Sequence, residues 1–193
     1  MRPVPPAMAV KLNGAADLIA DRGYDQTTID DIAEASGVPK ATLYYYFSGK
    51  DEIMSFLLND VVSSMSAAVG AAYRSKGSSW DRLVAVIVAL IDVLADHPAV
   101  CRALYSDIGK AGRMPDIIQS VFESFYQPVE KLLASGEQDG SLQAVGDVPA
   151  LTRIIFGAIS LASLSYLLAG EPVPRQQLSG ELTRLLSTGI RGN

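Results

Sequence analysis

The sequence predicts an all-helical protein. Three observations carry this: apolar residues recur at helical rather than alternating spacing along almost the whole chain, no segment reads convincingly as a strand or an internal repeat, and capping signals fall at helix-sized intervals. With 193 residues, 49% of them hydrophobic, the chain can bury a sizeable core, which argues against general disorder.

Residues 1–7 are proline-rich and lack an apolar face, so they read as a flexible arm. Met8, Leu12, Ala15, Ala16 and Ile19 mark one face of a first helix that ends at Gly23. Thr28 and Asp31 make a capping-box-like start for a short second helix carrying Ile29, Ile32 and Ala33, closed by Gly37. A third helix follows to about Phe47. Ile53, Leu57, Val61 and Met65 define a long fourth helix to about Arg74, broken by Gly77, Ser78 and Ser79. Ser78 and Asp81 cap a fifth, whose run from Leu83 to Ile91 has no polar side chain and is expected to be buried on most sides. His97 and Pro98 open a sixth. The seventh starts near Pro115 and carries Ile117, Val121, Phe122, Phe125, Val129 and Leu132, with Pro128 expected to kink it by removing one hydrogen bond. Gly136 to Gly146 reads as a loop, and helices over Val148–Ala169 and about Arg175–Ile190 bring the count to nine.

The net charge of −5 argues at first against a nucleic-acid partner. Its distribution matters more. Within the first fifty residues every acid lies before position 38, and Val38 to Lys50 carries Lys40 and Lys50 with no acid, a local positive patch on the scale over which charges act in salt. The single cysteine, Cys101, excludes an intrachain disulfide; beside Val100 and Ala103 it reads as a packing residue, with a reactive thiol as the alternative. No leader-like segment opens the chain, and a reducing cytoplasm is the expected setting.

The informative stretch is Thr27 to Ile53, TTIDDIAEASGVPKATLYYYFSGKDEI. Two short helices joined by a tight glycine-containing turn form a helix-turn-helix, whose second helix enters the major groove. At 100° per residue Leu43 and Phe47 face inward, while Ala41 and Tyr45 point away, flanked by Thr42, Tyr44 and Tyr46. An exposed aromatic cluster beside lysines has no structural purpose in a lone domain, and binding accounts for it.

This pattern resembles the TetR family of bacterial regulators over roughly residues 8–58: Thr28, Ile32, Ala33, Gly37, Val38, Thr42, Leu43, Tyr44, Tyr46, Phe47 and Lys50 stand at the family's motif positions. The resemblance implies a TetR-like architecture, with the arm over 1–7, a DNA-binding domain over 8–50 and a ligand-binding and dimerisation domain over 51–193. It implies that Thr28 offers its hydroxyl and helix end to a phosphate, alongside its plain capping role. Lys40, Ala41, Thr42, Tyr44 and Tyr45 are implied to meet base edges and nearby phosphates, and Tyr46 and Lys50 to hold the DNA backbone. Lys40 also fits a solvated charge and Tyr44 partial core packing. Pro39 stands where a serine or threonine often caps the recognition helix, and Asp30 stands where some relatives carry a base-reading arginine, so no base contact is expected from it. Either Ser48 with Asp51 or Gly49 with Glu52 caps the fourth helix.

For the remainder, Trp80, His97, Tyr105, Phe122, Phe125, Tyr126 and Phe156 are candidate effector-lining residues, with ordinary core or cap roles as the leading alternative for each. Few charges accompany them, which favours an apolar or aromatic small molecule. Ile154 to Gly170 carries no charge over 17 residues, the lower limit for a membrane span, but serines interrupt it. We read it instead as a soluble subunit interface, with Ile154, Ala158, Leu161, Ala162 and Ser165 meeting a second copy together with Leu178, Leu182 and Leu185 of the last helix. One histidine, one cysteine and no phosphate loop or clustered metal ligands make an enzyme a poor reading, and no cofactor is expected. The expected partners are therefore double-stranded operator DNA, a second copy of the chain and a small-molecule effector; a helical adaptor that binds only protein is the remaining class.

Overall fold

The structure, a computed structural model, describes residues 3–106 and 115–192, with side chains described for 3–103 and 116–192. Among these residues the helices are α1 Pro6–Arg22, α2 Ile29–Ser36, α3 Lys40–Tyr46, α4 Lys50–Tyr73, α5 Ser79–Asp96, α6 Pro98–Ser106, α7, α8 Val148–Leu168 and α9 Arg175–Ile190. Helix α7 is composite: it starts as Pro115–Val121, widens into a π-helical stretch over Phe122–Tyr126 and resumes as Gln127–Asp139. The nine helices expected from the periodicity are present among the described residues. Leu142 and Arg191 add an isolated antiparallel bridge.

The helix starts follow local chemistry. Helix α1 begins at Pro6, inside the stretch 1–7 expected to be an arm: a proline in the first turn loses no hydrogen bond and brings a φ already suited to the helix. At α2 the Thr28 hydroxyl accepts from the Asp31 amide at 3.2 Å while Asp31 Oδ2 accepts from the Thr28 amide at 2.8 Å, a full capping box. These bonds from Thr28 hold the Asp31 carboxyl below the usual carboxylate range. Gly37 ends α2 in the left-handed region at φ 62°. Helix α5 is capped by Ser78 and Asp81 in the same reciprocal way, at 2.9 and 3.2 Å.

The chain divides into two compact units. The first comprises the residues up to Val61 with those from His97 to Ile118. Here α1 packs on α2 and α6, burying Leu12, Ala15, Ala16 and Ile19 with Ile32, Leu43, Phe47 and Ile53. The α1–α2 crossing is tight enough that a Cβ on Gly14 would stand 2.9 Å from the Ala35 carbonyl oxygen, so glycine is required there. Arg102 of α6 ties down the solvent side of α1 through Asp17 at 3.1 Å and Asp21 at 3.2 Å. Cys101 is buried and its thiol pushed up to about 12 by that burial, which makes it the packing residue rather than the reactive one.

The second unit, Val62–Asp96 with the residues from Gln119 onward, is organised on α5. The last part of α7 and both C-terminal helices pack on it, burying Leu83, Val86, Ile87, Leu90 and Ile91. Asp139 caps α5 from outside the helix: its Oδ2 accepts from the Ser79 hydroxyl and amide at 2.7 and 3.0 Å, and its Oδ1 from the Ser141 amide at 2.9 Å. Hydrogen bonds from Ser141 and Ser79 hold its carboxyl far below the ordinary range. Arg175 fastens the start of α9 to α5 through Asp92 at 3.3 Å and Asp96 at 2.5 Å.

Two expectations in α7 change. The helix does not end at Gly136 but runs to Asp139, and Gly136 is there because a Cβ would collide with the Leu142 side chain folded back over it. The kink expected from Pro128 takes the form of the π-helical stretch, in which the Gln127 amide reaches the Phe122 carbonyl. A proline lacks the N–H and clashes with the carbonyl four residues back; widening the preceding turn accommodates both defects. Among the described residues α4 and α8 are long and apolar enough to cross a membrane by length and composition, with a third of each apolar window buried within the chain.

Candidate nucleic-acid interface

The turn at Gly37–Val38 delivers α3 with Pro39 at its N-cap, which supplies no side-chain hydrogen bond. Leu43 and Phe47 are buried beneath α3, as the helical spacing requires, and anchor it. Ala41 and Tyr45 lie opposite them. Tyr44 and Tyr45 are 53% and 59% exposed, far more than a tyrosine used for packing, so for Tyr44 the core alternative does not hold. The Tyr46 ring is half-buried and meets Tyr45 edge-on at 4.9 Å, which stiffens the outer surface. Thr42 and Tyr46 form one flank of α3, and Lys40 and Tyr44 form the other. Thr28 is exposed, its hydroxyl held in the capping box.

The lysines stand differently from the sequence expectation. Lys40 is ion-paired with Asp30 of α2, its Nζ 2.7 Å from Oδ1 and 2.9 Å from Oδ2, and this bond raises the Lys40 pKa. Asp30 therefore does more than fail to read a base: it neutralises the nearest cation. Lys50 is not held out for a phosphate. Its ammonium donates to the carbonyls of Tyr24 at 2.9 Å, Thr27 at 3.0 Å and Asp25 at 3.4 Å, and lies 4.5 Å from the centre of the Tyr24 ring. All three of its donors are used in closing the α1–α2 loop onto the start of α4. Tyr24 also bonds Asp51, and just ahead of α4 Ser48 is tied to Glu52, whose Oε2 accepts from the Ser48 amide at 2.7 Å and hydroxyl at 2.9 Å, a pairing neither sequence alternative named.

Lys50→Ala is accordingly expected to act through stability. Losing charge-assisted bonds to part-buried carbonyls costs about 2 kcal/mol, or roughly 4–8 °C in melting temperature for a chain of this size. Thermal denaturation reads the loss. The dependence of DNA affinity on salt, measured below the melting range, should stay that of wild type; a shallower dependence would return Lys50 to the phosphate-binding set.

A groove of about 290 Å³ runs along the Thr42–Tyr46 flank of α3, walled on its far side by Pro5, Met8 and Lys11 and floored by Val38. Sequence reasoning missed it, because its two walls lie some thirty residues apart in the chain. Among the described cations of this unit, Arg22 pairs with Asp31, Lys40 with Asp30, Arg102 with Asp17 and Asp21, and Lys50 with carbonyls. Lys11 is exposed and lacks such a partner.

In the second unit the structure brings together four of the seven candidate effector residues. Phe125 is fully buried, its ring 5.9 Å from Tyr126 and 5.1 Å from Phe156, while Tyr126 lies 5.1 Å from Phe156 and 6.1 Å from Phe122. Arg153 stands 5.8 Å from the Tyr126 ring. Trp80 is not in this cluster: it is buried at the first turn of α5 with Arg191 over its ring at 5.6 Å, a packing role. His97 belongs to the first unit, its Nε2 3.9 Å from Asp60 Oδ2. The side chain of Tyr105 lies outside the described residues.

Of the candidate subunit-interface residues, Ile154, Leu161 and Leu185 are 64%, 60% and 61% exposed, and Leu168, not singled out from sequence, is 67% exposed. Ala158 and Ser165 are exposed beside them and Ala162 is half-buried. Leu182 is buried inside its own chain and Leu178 is half-buried, because the row that includes Leu182 and Leu186 turns toward α5.

The profile of the tetR family of bacterial regulatory proteins matches residues 12–55, the helix-turn-helix and its flanks. The HTH-type transcriptional repressor KstR2 of Rhodococcus jostii is 30% identical over 187 residues, covering 91% of this chain and 89% of that protein. Two solved structures share the fold: the ketosteroid transcriptional regulator KstR2 of Mycobacterium tuberculosis (TM-score 0.84, 22% identity, 99% of this chain and 98% of that one) and FadR of Bacillus subtilis in complex with stearoyl-CoA (TM-score 0.76, 21% identity, 96% and 98%). With the helix-turn-helix geometry in place and a 30% identical relative matched along nearly its whole length, the chain belongs to the TetR family and is a DNA-binding transcriptional regulator, not an enzyme.

Proposed function

We propose that the protein works in the cytoplasm as a homodimer that reads an operator with the Ala41–Tyr45 face of α3 and is released from it by a largely apolar acyl or steroid effector. The DNA-reading part extends to about residue 50, and the remainder carries effector binding and dimerisation. Ala41 and the Tyr45 ring are suited to thymine methyl groups, Tyr44 reaches bases or phosphates from the flank where Asp30 holds Lys40, Thr42 and Tyr46 hold the backbone from the other, and Thr28 presents the α2 N-terminus to a phosphate. The dimer reading rests on the stripe of Ile154, Leu161 and Leu168, seven residues apart on α8, with Leu185 alongside on α9. Three aligned and exposed large apolar side chains, about 21 Å of helix, favour a second copy as cover.

What carries the effector reading is the aromatic cluster of Phe122, Phe125, Tyr126 and Phe156 next to two orphaned hydroxyls. Ser160 and Ser163 follow Phe156 on the same face of α8, are buried, and have no hydrogen-bond partner among the described residues. Buried hydroxyls left unpaired cost stability, and an effector carbonyl beside an apolar body would satisfy them. Stearoyl-CoA, the ligand in the FadR complex, and the ketosteroids for which the KstR2 regulator is named both combine an apolar body with a carbonyl.

The test is a titration of the full chain with stearoyl-CoA and, separately, with a 3-ketosteroid, each with and without the DNA upstream of its own gene. An inducer must bind about 5- to 150-fold more weakly when that DNA is bound, because linkage is reciprocal. Phe122→Gln should abolish the response and leave DNA affinity unchanged. Equal ligand affinity with and without DNA, or no binding of either ligand, overturns the effector assignment.

A further inference from the structure

We infer that the groove between the start of α1 and the Thr42–Tyr46 flank of α3 seats one strand of the operator's sugar–phosphate backbone, with Lys11 as its phosphate contact. A helix lying in a major groove about 12 Å wide has a phosphate strand on each side. On one side of the outward Ala41–Tyr45 row, α3 presents Lys40 and Tyr44, with Asp30 and the α2 N-terminus next to them. The other side is Thr42 and Tyr46, and these two residues are also a wall of the groove. The groove is thus continuous with the DNA-reading face, and a strand following the Thr42–Tyr46 flank runs over it.

The chemistry of the walls matches that occupant. Ala7, Met8 and Lys11 share one face of α1 by their spacing of three and four residues, so Lys11 stands at the rim above an apolar lining. Deoxyribose is the less polar part of the strand and suits Pro5, Met8 and Val38, while the phosphate suits the ammonium of Lys11. The charge of Lys11 is unspent, whereas the other described cations of the unit are committed to carboxylates or carbonyls. A protein of net charge −5 that binds a polyanion needs such a group placed on the contact face.

The test uses the full-length chain on a random-sequence 30-base-pair duplex and on the duplex from upstream of its own gene, with affinity followed by fluorescence anisotropy across a salt series. Each phosphate contact contributes about 0.9 to the log–log salt slope, so Lys11→Gln should flatten the slope by about 0.9 per bound subunit on both duplexes and weaken binding about eightfold per subunit at 0.1 M salt. Melting temperature should not move, because Lys11 is exposed and unpaired. Lys131→Gln, the same charge change on α7, should leave the slope as in wild type, which separates contact from general electrostatics. Ala7→Trp fills the groove without changing charge; it should weaken binding to both duplexes and restore hydroxyl-radical cleavage at one deoxyribose site per half-site that the wild-type protein protects. A Lys11→Gln slope equal to that of wild type or of Lys131→Gln, or an unchanged footprint with Ala7→Trp, overturns the inference while leaving the reading of bases by α3 intact, since that is measured by the difference in affinity between the two duplexes.

Discussion

Leu161→Arg is expected to convert the protein into a folded monomer that no longer holds its operator. Leu161 is 60% exposed and lies at the middle of the Ile154–Leu161–Leu168 row, so an arginine there meets solvent in the single chain and does not disturb the α5-centred core. In a two-fold dimer the same position faces its own symmetry-related surroundings, where two unpaired guanidinium groups would have to be desolvated against apolar side chains. Light scattering should report 20.5 kDa rather than twice that mass. Tight operator binding uses two recognition helices set one helical turn of DNA apart, so the monomer keeps only one half-site, and specific affinity should fall about a thousandfold toward the nonspecific level. A variant that scatters as twice the chain mass moves the interface off α8. Binding of unchanged strength by a proven monomer would remove the need for a dimer altogether.

Two members of the exposed row on α8, Ile154 and Leu161, were legible in the sequence because the helical spacing of a charge-free segment says which residues share a face, whereas Leu168 was not singled out there. On α9 the same reasoning went astray at Leu182. Leu182 and Leu185 are only about 60° apart on the helix, within the breadth of one apolar stripe, and it takes the position of α5 to decide that Leu182 and Leu186 face inward while Leu185 faces out. The same division runs through the DNA-reading unit. Its cap at Thr28, the turn at Gly37 and the outward face of α3, like the α5 cap at Ser78 in the second unit, are local, set by residues within one or two turns of each other, and sequence spacing is enough to place them. Bonds that join distant segments are not. Lys50 sits at a motif position, and nothing in its neighbourhood along the chain tells that its ammonium meets carbonyls 23 to 26 residues away. Gly14 and Gly136 look like ordinary helix glycines until the Ala35 carbonyl and the Leu142 side chain are in place.

Asp30→Asn is expected to strengthen DNA binding, a gain that follows from the ion pair between Lys40 and Asp30. Lys40 and Asp30 are 51% and 69% exposed, so the pair contributes little to stability and its loss should leave the melting temperature close to that of wild type. On the DNA, however, the carboxylate competes with phosphate for the Lys40 ammonium and itself repels the phosphate strand on that flank. The asparagine keeps the size of the side chain and removes both effects. Lys40 then becomes available for one further phosphate contact per subunit, which steepens the log–log salt slope by about 0.9 for each subunit and, in the proposed dimer, raises affinity at 0.1 M salt by about 60-fold. Because phosphates carry no sequence, the gain should appear on random DNA almost as strongly as on the operator, and the ratio between them should shrink or stay level. A gain confined to the operator would instead assign the freed Lys40 to a base edge, most naturally the acceptors of guanine. An affinity and salt slope equal to wild type on both duplexes would mean that DNA already displaces Asp30 from Lys40 in the complex, and that the pair is a resting-state contact with no hold on recognition.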